Sequence, residues 1–252
     1  MKSIAVLNQK GGVGKTTTVI NVAAAMARKG QRVLVVDADP QGNATSGLAV
    51  DKRMLQQTLY DGLMDERITV EGLQQSTSQQ GVSIVPSNET LAAAEVDLVQ
   101  TLVREKQLRR LLSTTQDIDV VLIDCPPSLG LLTINALSAA DYVLIPVQSE
   151  YYALEGLGQL LDIVQRVRGG LNPTLELLAV IMTMHDKRTM LSGQVQGELE
   201  RHFGDKLLKT AVPRNVRLAE APSFGVSIFE HDKWSKGARA YKQITEEVMK
   251  RL

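Results

Sequence analysis

The chain opens on a short apolar run, Ile4-Ala5-Val6-Leu7, which passes directly into Gln9-Lys10-Gly11-Gly12-Val13-Gly14-Lys15-Thr16-Thr17 and then into a helical pattern reaching Arg28. Strand, glycine-rich loop and helix in this order leave few folds open. A strand without polar alternation needs cover on both faces, as in a parallel sheet. The glycines let successive backbone N–H groups turn inward at the start of the helix, where its dipole adds positive potential. A loop so built binds phosphate. Lys15 is expected to neutralise the β and γ phosphates of a nucleotide and Thr16 to offer its hydroxyl to Mg²⁺, with Gly11, Gly12, Val13, Gly14 and Thr17 completing the cradle. The loop departs from the general G-x-x-x-x-G-K-[ST] pattern: Gln9 takes the first glycine place and Lys10 follows it, so a second cation stands beside the phosphates.

The remaining chain repeats the alternation. Further apolar runs, Val33 to Val36, Val82 to Val85, Val120 to Ile123, Tyr142 to Val147 and Leu177 to Ile181, predict strands. Helical patterns cover Thr16 to Arg28, Glu89 to Leu98, Glu105 to Leu112, Leu131 to Ala139, Leu154 to Val167, Met190 to His202 and Gly237 to Leu252. Strand–helix alternation predicts an α/β fold with a doubly wound, mostly parallel sheet flanked by helices. Ligands of such sheets bind at the carboxyl ends of the strands. Three polar motifs fall at those ends: the loop at Gln9, Asp37-Ala38-Asp39-Pro40-Gln41-Gly42-Asn43, and Asp124-Cys125-Pro126-Pro127-Ser128. They are expected to converge on one pocket.

At 252 residues and 44% hydrophobic content the chain can build one continuous core. No linker or low-complexity tract divides it, so a single P-loop ATPase domain over residues 1–252 is expected, with the polar stretch Gln74 to Gln80 as a surface loop. Formal net charge is zero, so any nucleic-acid binding must come from a local patch rather than an overall field. The first strand begins almost at once and no apolar run approaches a bilayer span, which predicts a soluble, cytoplasmic protein. The lone Cys125 excludes an internal disulfide or a multi-thiolate metal site within one chain. His185, His202 and His231 lack paired-ligand spacing, pointing to structural or surface roles.

Asp124 closes Val120-Val121-Leu122-Ile123 in the manner of a Walker B acid that holds Mg²⁺ beside Thr16; the other reading is a cap for the next helix. Asp37 and Asp39 bring two acids to an anionic site, an arrangement that requires a cation between them and the ligand. One can help bind hydrated metal while the other orients the attacking water, and both can also shape the turn with Pro40 and Gly42. Lys10 cannot share the position of Lys15. Either it reaches the phosphates of a second subunit, in the manner of an arginine finger, or it is a solvated surface lysine.

With these motifs assembled, the chain resembles the ParA-type (Soj-like) partition ATPases of the deviant-Walker group that includes MinD. The resemblance rests on KGGVGKTTT at Lys10, DADPQGNATSGL at Asp37, IDCPPSLGLLTINAL at Ile123, PVQSEYYALEGL at Pro146 and PRNVRLAEAPS at Pro213, and spans nearly the whole chain. It implies an ATP-dependent, Mg²⁺-requiring sandwich homodimer with Lys10 acting across the interface, Lys15 and Thr16 at phosphate and metal, Asp39 positioning the water and Asp124 in the Walker B place. It further implies non-specific binding of double-stranded DNA by the ATP dimer, release on hydrolysis stimulated by a ParB-type centromere-binding partner, and a nucleoid-associated location. The loop Pro213-Arg214-Asn215 would then lie by the adenine, and Arg188 and Arg217 on the DNA-binding face. Arg188, Arg214, Arg217, Lys233, Lys236 and Arg239 cluster in the C-terminal third; the other reading is a scattered solvated face. If a dimer neutralised about six phosphates, log affinity would fall with log salt at a slope of about −5.

Relative to the family pattern, Met190 stands for an expected Asn, Phe224 for a common His, Val226-Ser227 for a frequent Lys-Pro, and His231-Asp232-Lys233-Trp234 is atypical. A second class is a MinD-like membrane switch. Tyr241, Ile244, Val248 and Leu252 do make an apolar stripe, but Glu246 and Glu247 oppose anionic lipid and no Phe or Trp anchors the tail, so the stripe is expected to pack on the domain and no membrane is expected as partner. A third class, metabolic or iron–sulfur relatives, lacks the cysteines or a distinct small-molecule motif. The chain begins at its first strand, so a DNA-reading N-terminal extension is not expected.

Overall fold

The computed structural model of the chain describes residues 1–150, 155–186 and 188–252, with Glu155 placed in its backbone alone. The Tyr151-to-Leu154 part of the Pro146 motif, including the expected helix start at Leu154, therefore lies outside the described residues. All six apolar runs form strands, and a seventh joins them: β1 (Lys2–Val6), β2 (Val33–Asp37), β3 (Gln75–Ser76), β4 (Val82–Val85), β5 (Val120–Asp124), β6 (Tyr142–Gln148) and β7 (Glu176–Thr183). The sheet order is β3-β4-β2-β5-β1-β6-β7. Every pairing is parallel except the antiparallel β3–β4 edge.

The expected surface loop at Gln74 to Gln80 is thus corrected in part. Gln75 and Ser76 pair with Ile84 and Ser83 through backbone groups, which need no apolar side chains, and both residues stay exposed as a short polar edge. The expected helix Glu89 to Leu98 is also broken up, into a 3₁₀ segment Glu89–Ala93, one α turn Ala94–Asp97 and a second 3₁₀ segment Leu98–Gln100. Its buried residues at the start, Leu91 and Ala94, are three apart, the spacing of a 3₁₀ turn.

Apolar residues alternate between two cores. Ala5, Leu34, Val36, Val121 and Ile123 face one, and Ile4, Val6, Val33, Val35, Val120 and Leu122 face the other. The first core is closed by the helices Leu131–Ala139, Glu155–Gly170 and Met190–Phe203 through residues such as Leu132, Leu160 and Leu199. The second is closed by the P-loop helix Lys15–Ala27 and the C-terminal helix Lys236–Met249. Tyr241, Ile244 and Val248 are at most 1% exposed there, so the apolar stripe of the tail is spent inside the fold. No described helix is long and apolar enough to cross a membrane.

Candidate functional site

Strand register sets the site. Val6 of β1 and Asp37 of β2 both pair with Asp124 of β5, so the ends of three neighbouring strands stand at one level. The chain leaving β1 turns through Gly12 (φ 76°) and Gly14 (φ 91°), left-handed conformations that a side chain strains. A Cβ on Gly11 or Gly12 would meet nothing within 4 Å, so the backbone of the loop is accessible there. Gly14 then starts the P-loop helix without a side-chain cap and with no acid in the first turn. Among the described residues other long helices have side-chain acceptors at their starts: Glu95 accepts from Leu131 and Leu132, Thr189 from Ser192 and Ser235 from Ala238. The first-turn N–H groups of the P-loop helix have no such cap and are left to an anion.

Lys15 is 7% exposed, and its ammonium donates to the Lys10 carbonyl at 3.2 Å, drawing the loop around itself. Burial pulls it below the ordinary lysine range, opposed by the charges of Asp124 and Asp39. Thr16 Oγ1 donates to Asp124 Oδ2 at 2.7 Å, and Asp124 Oδ1 is buried with no hydrogen-bond partner among the described residues. Burial, then the charge of Asp37, pushes the Asp124 carboxyl well above the usual range. A buried carboxylate oxygen without a partner, a neighbouring hydroxyl and an open phosphate cradle fit Mg²⁺, which keeps several waters and takes one or two protein oxygens. Among the described residues no group of three or more His, Cys, Asp or Glu forms an all-protein metal cage.

The second strand end is wired differently. Asp37 accepts from the Thr45 amide (2.8 Å) and hydroxyl (2.7 Å) through Oδ2, and from the Asp39 amide (3.3 Å) through Oδ1. Burial nonetheless raises its carboxyl to about 6. Asp37 is thus already occupied, and Asp124 carries the open oxygen. Asp39, 8% exposed, accepts from the Gln41 amide at 2.9 Å, and its carbonyl accepts from Gly42 and Ser87. The turn-forming role expected for this pair is present, and it fixes the Asp39 carboxylate beside the cradle.

Lys10 leaves the loop sideways. Its ammonium meets Glu150 Oε2 at 2.6 Å, with both side chains 40% exposed, and Glu150 also accepts from Gln148 (2.6 Å) and lies 3.6 Å from Arg214. Pro213 and Asn215 line a pocket of about 370 Å³ with Gly14, Thr17, Met184 and Tyr241, directly beside the P-loop. Arg188 and Arg214 line an adjoining cleft of about 1060 Å³ with Lys209, Lys236 and Arg239, and Pro213 and Arg214 are shared between the two. Arg217 lies outside that lining. Each of the three arginines meets an acid: Arg188 holds Asp186 at 2.8 and 2.9 Å, Arg214 faces Glu150, and Arg217 reaches Glu220 at 2.9 Å and Asp232 at 3.8 Å. Arg188 holds the Asp186 carboxyl well below the usual range.

Sequence reasoning missed four members of this neighbourhood. Glu150 sits inside a quoted motif, and an acid after a strand end was its available signal. Thr45, which donates to Asp37, also lies inside a quoted motif; Tyr241, bonded to Thr18 at 3.1 Å, was read only as part of the apolar stripe; and Thr183, which donates to the Val13 carbonyl (2.8 Å), carries no local pattern that separates it from ordinary polar residues.

A family model described as an AAA domain matches residues 1–177. The sporulation initiation inhibitor protein Soj of Bacillus subtilis is 51% identical over 98% of this chain and 98% of its own length. The chromosome-partitioning ATPase Soj of Thermus thermophilus is 50% identical over 100% of this chain and 97% of its own. Among solved structures, cobyrinic acid a,c-diamide synthase from Mycobacterium smegmatis with a bound ATP analogue and magnesium superimposes with a TM-score of 0.87 at 37% identity, over 99% of this chain and 95% of that one. A phosphate cradle at the carboxyl edge of a parallel sheet and full-length identity near one half lead to one assignment: the chain belongs to the Soj/ParA family of chromosome-partitioning P-loop ATPases.

Proposed function

We propose that the chain, acting as a single ATPase domain over residues 1–252, hydrolyses ATP in an Mg²⁺-dependent sandwich homodimer. The dimer grips double-stranded DNA without sequence preference and lets go when a ParB-type partner stimulates hydrolysis, placing the protein in the cytoplasm on the nucleoid. The observation that carries this reading is Lys10: a second ammonium, directed away from the loop that Lys15 fills, is what a subunit needs to reach its partner's phosphates. Its pair with Glu150 is half exposed and worth at most about 1 kcal/mol, so it opens readily against a phosphate.

When bound, Mg²⁺ would offset the negative charge of the phosphates. Thr16 and Asp124 Oδ1 would hold it, with Asp37 acting through water. The amides of Gly11 to Thr17 and the Lys15 ammonium bind the phosphates, Asp39 orients the attacking water, and Pro213 and Asn215 flank the base. Arg188, Arg214 and Arg217 exchange exposed acids for DNA phosphates, a low-cost exchange because exposed pairs contribute little. The small-molecule synthase named for the Mycobacterium structure is the less similar relative, at 37% against about one half for the partition proteins. A membrane switch is disfavoured by the buried stripe of the C-terminal helix.

The test is co-sedimentation with plasmid DNA under ATP and ADP at several salt concentrations. ATP-dependent binding with a log–log salt slope of about −5 is expected. Lys10→Ala is expected to bind nucleotide as a monomer and to lose both the dimer and the DNA. Equal DNA binding in ATP and ADP, or a Lys10→Ala protein that still dimerises and binds, overturns the reading.

The acids of the metal site set a second expectation. Burial pushes the Asp37 carboxyl from an ordinary 3.8 up to about 6, so the fold retains a proton that the unfolded chain releases between those values. Stability from this group is therefore full at low pH and is lost as pH rises through about 4 to 6, and Asp124 acts in the same direction. A cation at the two carboxylates restores it. Millimolar Mg²⁺ is expected to raise the melting temperature more at pH 7.5 than at pH 5, and Asp124→Asn to remove the difference; an equal Mg²⁺ effect at both values counts against these acids as the metal site.

A further inference from the structure

The chain contains one tryptophan and three phenylalanines. Phe203 and Phe229 pack into the two cores. The other two rings, Trp234 and Phe224, are 79% and 67% exposed. An exposed apolar surface rimmed by polar and charged groups marks an interaction site. A chain of side-chain contacts runs from one to the other. The Trp234 amide donates to Asp232 at 3.2 Å, Asp232 meets Arg217, Arg217 pairs with Glu220, and Glu220 faces His231 at 3.3 Å. His231 stacks on Phe224, with ring centroids 5.1 Å apart and planes 29° from parallel. Lys233 lies 5.3 Å from the Trp234 ring centroid.

Charge complements the rings. In this neutral chain, residues 214–243 carry six Lys and Arg against three Asp and Glu. Trp234 immediately precedes the C-terminal helix, whose Lys236 and Arg239 line the basic cleft. Cations that follow a phosphate backbone, interleaved with rings that offer flat apolar faces, are the recognition elements for single-stranded nucleic acid, whose unpaired bases expose their own faces. A duplex hides those faces. A lipid surface fits less well, because the helix beside Trp234 has its apolar side buried in the core.

We propose that this edge of the basic face binds single-stranded DNA, with bases stacking on Trp234 and Phe224 and the backbone running along Arg217, Lys233 and Lys236. The proposal rests on the DNA-binding reading above and extends it to unpaired strands, such as those opened during replication or by a bend in the duplex.

Trp234 is the sole tryptophan, so fluorescence excited selectively over the five tyrosines reports on this position. The full chain, with a non-hydrolysable ATP analogue and Mg²⁺, is titrated with an oligo-dT strand, with a mixed-sequence duplex of equal length, and with phosphatidylglycerol vesicles; anisotropy of labelled DNA reads binding independently. Oligo-dT is expected to quench Trp234. Trp234→Ala is expected to weaken oligo-dT binding by about tenfold, the scale of one stacked base, and to leave duplex binding within about twofold. Trp234→Phe should restore most of the loss, which a change in charge or folding would not do. Duplex binding with no Trp234 response to oligo-dT, or oligo-dT affinity unchanged in Trp234→Ala, overturns the proposal and leaves the duplex-binding reading standing. Absence of binding to either DNA overturns both, and a fluorescence response to vesicles alone reassigns the edge to lipid.

Discussion

Lys15→Ala is expected to weaken ATP binding by about a hundredfold or more and to remove turnover with it. The ammonium is nearly buried, and the groups around it are one backbone carbonyl and the acids Asp124 and Asp39. A phosphate-facing ammonium in such a place supplies charge-assisted hydrogen bonds of about 1.5–3 kcal/mol each. Its loss also leaves Asp124 and Asp39 without the opposing charge of Lys15, so the site becomes more hostile to a polyanion than truncation alone implies. Isothermal titration with ATP and Mg²⁺ measures the affinity directly. Binding within a few fold of the unaltered chain would show that the loop amides and helix dipole suffice, and that Lys15 serves mainly to fold the loop through its bond to Lys10. Lys15→Met tests the remainder by keeping the stem and removing the charge.

Asp39→Ala is expected to have the opposite profile: nucleotide binding and ATP-dependent dimerisation persist, while single-turnover hydrolysis falls by about a hundredfold or more, the usual contribution of a positioned base or water-orienting group. The structure supplies a competing explanation, since Asp39 accepts from the Gln41 amide and so shapes the turn that carries it. Loss of that one neutral hydrogen bond costs only about 1 kcal/mol. Asp39→Asn separates the two roles, because the amide oxygen still accepts from Gln41 but carries no charge for the water. Hydrolysis near normal in Asp39→Asn would assign the residue to the turn; hydrolysis lost in both variants assigns it to the water.

The division between what was legible and what was not follows the range of the interactions. Strands β1, β2 and β4 to β7 were readable because residues buried on both faces are mostly apolar, giving short runs such as Val33 to Val36. The edge strand Gln75–Ser76 was not, because its stability is in backbone pairing that leaves no side-chain trace. The cradle was readable for a related reason: glycine, lysine and threonine are required at fixed spacings by the backbone path around a phosphate, and Gly12 and Gly14 do adopt the left-handed conformations that spacing implies.

By itself, then, the sequence determined the fold class, the phosphate loop and the strand ends that carry Asp37, Asp39 and Asp124, since each is a local requirement written in consecutive residues. Only the tertiary structure decided how those groups are shared. It committed Asp37 to Thr45 and Asp39, left Asp124 Oδ1 open beside Thr16, set Lys10 against Glu150 across 140 positions of chain, and gathered Arg188 and Arg214 into one cleft without Arg217. These are contacts between strand ends and loops far apart in sequence. Their partners are chosen by sheet order and register, which no stretch of residues encodes alone.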